Sequence, residues 1–378
     1  MNNSSRFTSP KEICCPFALF GDGNRESIFR TFETGMCLSF MSVLFNCVIF
    51  FTFYLRNLSS PATILMQGLA LADGLTAFSA YGMEPLFQNT RVFAVANLTA
   101  SSAGPYDGIL FSMNYPFCGI YVYLSYFVDM FHLVSVLLTT CLGVQKVVAI
   151  QFPFWTRNHL TKKKSVICCA SCFLLSIGIH ISRLMGVVLK QDATFLGTDC
   201  YVQQKSENLT IYLFVYYQMI MASFLLGLCL IMVICTIFTV YKLSQNSFRR
   251  KIRKTEKRSI LLIIIVLILF LLTDTPKLFL CGTMFFNKSW RTVMIKEARR
   301  NAHYLGDYAS LLTDFFVISY PEMITSLEDY NTVRMGVEFI KLFSVIGSLS
   351  NFIIYILMSA KLRRELKQLF SCCNKKNK

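Results

Sequence analysis

The sequence predicts an all-α membrane protein, a seven-transmembrane helix bundle followed by a C-terminal amphipathic helix. Three observations carry that expectation. Seven apolar runs are each long enough, at roughly 20 residues or more, to cross a bilayer. The 378-residue chain is 54% hydrophobic and only 15% charged, whereas a soluble domain is roughly a quarter charged. The Lys and Arg behind its +16 net charge cluster in short segments between the runs. That is the distribution of a positive-inside membrane protein and speaks against a nucleic-acid partner; the bilayer itself is the partner it implies.

Taken in order, residues 1–30 are an N-terminal tail of mixed charge with no cleaved signal peptide, so the first helix directs insertion. Cys14 and Cys15 in this tail are equally readable as paired or as free thiols. The first run, Phe32 to Tyr54, holds one amide, Asn46, at mid-depth. The second, Ala62 to Phe87, contains Leu69-Ala70-Leu71-Ala72-Asp73. A carboxylate near the bilayer centre costs about 2.5–3.5 kcal/mol on insertion scales, so Asp73 needs partners or a hydrated cavity.

The segment Gln88 to Pro116 reads as a long polar loop. Phe117 to Pro153 then reads as one helix about 50 Å long, in which Asp129 is the one carboxylate or full cation between Cys118 and Lys146. Such a length exceeds the hydrocarbon core, so the helix must tilt or project beyond it, and a long tilted helix touches several neighbours, which makes it central. The fourth run, Ser165 to Leu189, follows the basic segment Lys162-Lys163-Lys164. Its Cys169-x-x-Cys172 spacing matches a metal or redox motif, but no partner cluster accompanies it in sequence, and packing is the expectation; no metal site is predicted.

The fifth run, Ile211 to Tyr241, ends in the basic segment Phe248 to Arg258, and the sixth, Ser259 to Met284, is kinked by Pro276. Phe285 to Asp329 is a long connection whose apolar part, Tyr308 to Tyr320, is a poor span and is read as loop. The last run covers about Asn331 to Leu357, so the bundle is expected over 31–358 and a cytoplasmic amphipathic helix and tail over 359–378. There Leu362, Leu366, Leu369 and Phe370 share one helical face and Lys361, Arg363, Arg364 and Lys367 lie largely on the other. Cys372 and Cys373 follow as lipidation candidates. Alternating topology puts the sequons at Asn2, Asn3, Asn97, Asn208 and Asn287 on one side and only Asn57 on the other. Glycosylation at the first set gives a multi-pass plasma-membrane protein with its N-terminus outside.

Four motifs carry a resemblance. Leu69 to Asp73 is similar to the second-helix motif of rhodopsin-like, class A, G-protein-coupled receptors. Gln145-Lys146-Val147-Val148-Ala149-Ile150-Gln151-Phe152-Pro153 resembles the end of their third helix, with Lys146 in place of Arg and Gln145 in place of an acid. Asn351-Phe352-Ile353-Ile354-Tyr355 is similar to Asn-Pro-x-x-Tyr with Phe for Pro. Thr273-Asp274-Thr275-Pro276 carries Asp where most members have Trp, and looks like the Thr-Glu-x-Pro of invertebrate FMRFamide and myosuppressin-type receptors and related nematode chemoreceptors. The fourth run lacks the family's Trp and the fifth its Pro.

The resemblance spans roughly Phe32 to Cys373 and implies a polar network of Asn46, Asp73, Ser135, Ser348 and Asn351, in that family a sodium-binding and switching site. It also implies a disulfide between Cys118 and Cys200, a G-protein switch at Lys146 and Tyr355, and no cofactor beyond a structural sodium ion. An enzyme is not expected, since His132, His159, His180 and His303 have no metal spacing and no nucleophile motif appears.

The function implied is a receptor that binds an extracellular ligand, a neuropeptide of RFamide-like type, and activates heterotrimeric G protein. The alternatives are a chemosensory or amine receptor of the same fold, and a transporter or channel. Glu84, eleven residues and about three turns from Asp73, is placed on nearly the same face toward the outside. Asp129 at similar depth and Asp274 near the kink would join it in one acidic cavity walled by Tyr121, Tyr123 and Tyr126. No Lys or Arg of those helices is read at that level, so a cationic ligand is expected; the alternative is that one or more of these acids are protonated or pair with Lys and Arg of the loops.

Overall fold

The computed structural model describes residues 22–55, 60–100, 104–113, 116–194, 197–204, 217–249, 272–273, 275 and 338–352. Its helices are α1 (Asp22–Leu55), α2 (Pro61–Ala77), a π-helical stretch (Phe78–Gly82), α3 (Glu84–Thr90), α4 (Phe117–Gln151), α5 (Pro153–His159), α6 (Lys162–Gly186), α7 (Tyr217–Arg249) and α8 (residues 338–352). Among the described residues five helical segments are long and apolar enough to cross a membrane: Arg30–Leu55, Pro61–Thr90, Gly119–Gln151, Lys162–Ile181 and Ile220–Lys242. Pro61–Thr90 is the least apolar of these, and it carries Asp73 and Glu84. Helix α1 begins at Asp22, inside the segment read as tail.

The connections are more ordered than the sequence suggested. Most of Gln88 to Pro116, expected as loop, pairs as an antiparallel hairpin of β1 (Arg91–Ala100) and β2 (Gly104–Met113). A second hairpin joins β3 (Val187–Thr194) to β4 (Gly197–Gln204). The fourth membrane helix therefore stops at Gly186, short of the expected Leu189. Pairing satisfies the backbone N–H and C=O groups of these strands, which a bare loop over the bundle would leave to water.

Local chemistry explains the helix ends. Ser60 caps α2 by accepting from Thr63 N at 3.2 Å, while Thr63 Oγ1 accepts from Ser60 N at 2.7 Å, a reciprocal capping box with Pro61 as the first helical residue. Helix α4 ends at Gln151 because the residue before a proline is pushed out of the helical region. Phe152 adopts φ −129° and ψ 66°, and α5 starts afresh at Pro153. Phe152, Phe154 and Trp155 stand exposed there, in keeping with aromatics at a membrane interface.

The long third apolar run is central, as its length implies. Every residue of α4 from His132 to Thr140 is buried, and α4 packs against α2, α6 and α7. Its Leu133 and Leu138 share a core with Ile49, Leu69, Cys172 and Leu228 of the neighbouring helices. Large apolar side chains such as Phe40 and Leu174 point outward instead, about two-thirds exposed. Lipid is as apolar as leucine, so helices in a bilayer associate through close van der Waals packing and interhelical hydrogen bonds. Both are present. Gly68 of α2 lies directly under Cys169 of α6 and next to Leu138. Ser39 Oγ of α1 donates to Ala77 O, and Ser176 Oγ of α6 donates to Met130 O at 2.6 Å.

Candidate functional site

At mid-depth the structure brings four helices onto one carboxylate. Asp73, 1% exposed, accepts from Ser135 Oγ of α4 at 2.6 Å and from Asn351 Nδ2 of α8 at 2.9 Å. Asn46 of α1 donates to Ser42 O at 2.9 Å and reaches Ser348 O at 3.5 Å, while Ser348 Oγ donates to Ser344 O at 3.1 Å and lies close to the Asp73 carboxylate. Buried charge is tolerated in a membrane only with such partners. Phe352, standing where the resembled motif has proline, stacks on Phe45 of α1 with ring centres 4.3 Å apart.

The Asp73 carboxylate and the Ser135 and Ser348 hydroxyls beside it are oxygen ligands of the kind a hard cation takes. Asn46 Oδ1 is buried and has no hydrogen-bond partner among the described residues. The residues thus fit the sodium ion that the resemblance implies.

A second polar cluster lies toward the Glu84 end of the bundle, and here two expectations need correction. Glu84 is not on one continuous helix with Asp73. The chain leaves α2 at Ala77, passes through the π-helical Phe78–Gly82 and turns at Met83 before α3 begins. A π turn inserts about one residue, which at 3.6 residues per turn rotates the chain beyond it by about 100°. Glu84 is nevertheless buried, 2% exposed. Asp129, half-buried, is not at its level. The Ser135 to Asp73 hydrogen bond ties the two helices, and from it Asp129 is six residues up, about 9 Å, against about 16 Å for Glu84. Tyr121 is at the Glu84 level, its ring set edge-on to Phe87 at 5.3 Å.

The remaining members of this cluster escaped the sequence reading. Tyr81, in the π stretch, donates its hydroxyl to Glu338 Oε2 of α8 at 2.9 Å, and Lys341 Nζ pairs with Glu338 Oε1 at 3.0 Å. Glu84 and Tyr121 are close enough to act on Tyr81 electrostatically. Lys341 therefore brings a cation into this cluster from the last helix. The Tyr81 ring lies flat enough on α1 that a side chain at Gly35 would meet it at 2.8 Å. Nothing in the last run distinguishes Glu338 and Lys341 from helix-end charges; only their spacing of three residues hinted at a pair. Tyr126 is buried on α4.

Toward the other end, Lys146 is half-buried on α4, and the Gln145 amide oxygen is buried without a partner among the described residues. Cys118 lies in the first turn of α4 and Cys200 in β4, and β4 touches α4. Asn97 falls in β1. Asp274, Tyr355, Asn3, Asn208, Asn287, Cys372 and Cys373 lie outside the described residues.

The expectation that no partner accompanies the fourth-run cysteines is also corrected. Cys141 of α4 meets Cys168 and Cys172 of α6, with all three sulfurs within 4.8 Å of one another. Cys169, half of the motif spacing, turns instead toward Gly68. Helical residues four apart share a face and residues three apart only partly do, and Cys141 is 27 positions away in sequence.

A bundle whose described residues include five helices long and apolar enough to cross a bilayer, a fully buried acid joined to its neighbours, and an aromatic and acidic cluster toward one end is that of a multi-pass membrane protein. A family model described as the 7 transmembrane receptor (rhodopsin family) matches residues 46–313, well over half the chain, and the protein belongs to that family. It is a G-protein-coupled receptor of the plasma membrane and not an enzyme, with an extracellular ligand, G protein and the bilayer as its general partners. Membership sets aside the transporter or channel alternative. No individual curated protein matches the chain. Helix α8 lies beyond the matched residues, yet it joins the bundle through Asn351 on Asp73 and Glu338 on Tyr81.

Proposed function

We propose that this receptor recognises an extracellular neuropeptide whose end carries a cation beside an aromatic ring, as Arg-Phe-amide does, and that it signals to heterotrimeric G protein from the Lys146 end. The observation that carries this reading is the burial of two carboxylates, Glu84 and Glu338, around Tyr81 at this end of the bundle. A site walled by buried acids favours a cationic ligand, and Tyr81, Tyr121 and Phe87 offer it aromatic faces. The N-terminus, the Glu84 end and the sequons Asn3, Asn97, Asn208 and Asn287 are then extracellular. There an oxidising environment permits a Cys118 to Cys200 disulfide, which the contact of β4 with α4 supports. Cys372 and Cys373, on the cytoplasmic side, are acylation sites.

The Asp73 network holds sodium in this reading. Asp73, Ser135, Ser348 and Asn46 supply its oxygens, and the bound ion neutralises the carboxylate. Lys146 takes the place of the family's Arg at the G-protein mouth, keeping the charge but losing the rigid five-donor fork.

The test is ligand-evoked GTP loading on co-expressed G protein with amidated Arg-Phe peptides and biogenic amines as probes. Glu84→Gln and Asp274→Asn, each checked for surface expression, should lower peptide potency by about 10² to 10³-fold wherever a buried ion pair is lost. Unchanged potency in both would overturn the cationic-ligand reading.

A further inference from the structure

We propose that Cys141, Cys168 and Cys172 form an intramembrane binding site for a thiophilic metal ion, with copper(I) as the species that suits it. The inference does not depend on the identity of the receptor's ligand. Two helices build the site. Cys168 and Cys172 stand four residues apart on one face of α6, and Cys141 faces them from α4. Cys141 Sγ is 3.7 Å from Cys168 Sγ, and every pair of the three sulfurs lies within 4.8 Å.

That spacing is the one a shared metal needs. Thiolates about 2.3 Å from a common centre in a trigonal plane sit about 4 Å apart. A disulfide would require about 2.05 Å between one pair and would leave the third thiol unused. The donor set narrows the ion. Three sulfurs without a histidine or carboxylate are soft, which selects against calcium and magnesium and for copper(I). Zinc completes a tetrahedron in structural sites, and the fourth thiol nearby, Cys169, is turned onto Gly68. Copper(I) accepts three-coordination and so fits the group as it stands.

The surroundings are compatible. Cys141 and Cys168 are half-buried and Cys172 buried, packed against the apolar core between α2, α4, α6 and α7. Each thiol that binds as thiolate releases a proton, so binding is weaker at low pH. Lys164, exposed one turn from Cys168 on the same face of α6, is the described cation nearest along that helix to offset the resulting negative charge. On α4 the corresponding neighbour one turn on is the uncharged Gln145.

The test uses the full-length receptor in detergent micelles, reduced with a non-thiol reductant, and titrates copper(I) against a chromophoric copper(I) chelator. Wild type should bind one equivalent more than the C141S/C168S/C172S variant, whereas C372S/C373S should leave that tight equivalent in place. Single Cys141→Ser should weaken binding by at least the roughly 10 to 100-fold that loss of a supporting metal partner costs. X-ray absorption at copper should show three sulfur neighbours at about 2.3 Å. A second readout needs no variant: bound copper(I) should slow alkylation of Cys141, Cys168 and Cys172 together in the native chain. Equal copper stoichiometry in wild type and the triple variant, uniform alkylation rates with and without copper(I), or conversion of two of the three thiols to a disulfide would each overturn the site.

Discussion

Replacing Glu338 by Gln isolates the ion pair at the Glu84 end. Glu338 accepts from Tyr81 at 2.9 Å and pairs with Lys341 at 3.0 Å, with side chains only 4% and 12% exposed. Glutamine keeps the shape and still offers Tyr81 an amide oxygen, so the loss falls on Lys341, deprived of its carboxylate in a nearly dry site. Breaking a buried pair from one side costs about 3–5 kcal/mol. The lysine stem can carry its ammonium toward the interface, which places the expectation at the lower end, about 3 kcal/mol. At about 2–4 °C per kcal/mol for a large domain, the unfolding midpoint of the ligand-free receptor in micelles should fall by about 6–12 °C. Lys341→Met should cost at least as much, because it leaves the carboxylate as the buried charge. The double variant removes both charges and should recover more than half of the summed loss. Strictly additive losses would refute the pairing.

Three further outcomes are expected. Gly68→Ala drives a Cβ into Cys169 Sγ and should destabilise the receptor by about 1–3 kcal/mol, and Cys169→Ala should restore it; thermal melts of the two single variants and the double decide, and an unrescued loss would count against the helix contact. Ser135→Ala removes a 2.6 Å hydrogen bond to Asp73, a charged bond worth about 1.5–3 kcal/mol. Sodium chloride should then raise the melting midpoint of wild type above that in choline chloride but not that of Ser135→Ala, and equal shifts would argue against a sodium site. Lys146→Arg should alter basal GTP loading, and unaltered basal and stimulated loading would remove Lys146 from the switch.

The sequence by itself determined what depends on short stretches of chain. Apolar run length set the spans, because crossing a bilayer is a matter of about 20 residues and 30 Å. The cost of a membrane carboxylate marked Asp73 as needing partners, and the family resemblance implied Ser135, Ser348 and Asn351, which the fold brings to it. Spacing failed where the backbone departs from a regular helix or where partners are far apart in sequence. The π turn before Glu84 shifts every facing residue beyond it, and no composition signal announces it. The rotation of each helix about its axis is fixed by packing against its neighbours, so only the assembled bundle decides that Glu338 meets Tyr81, 257 residues away, and that Cys141 meets Cys168 and Cys172. Long-range side-chain pairs of this kind depend on how the spans are turned toward one another, and a hydropathy pattern identifies spans without orienting them.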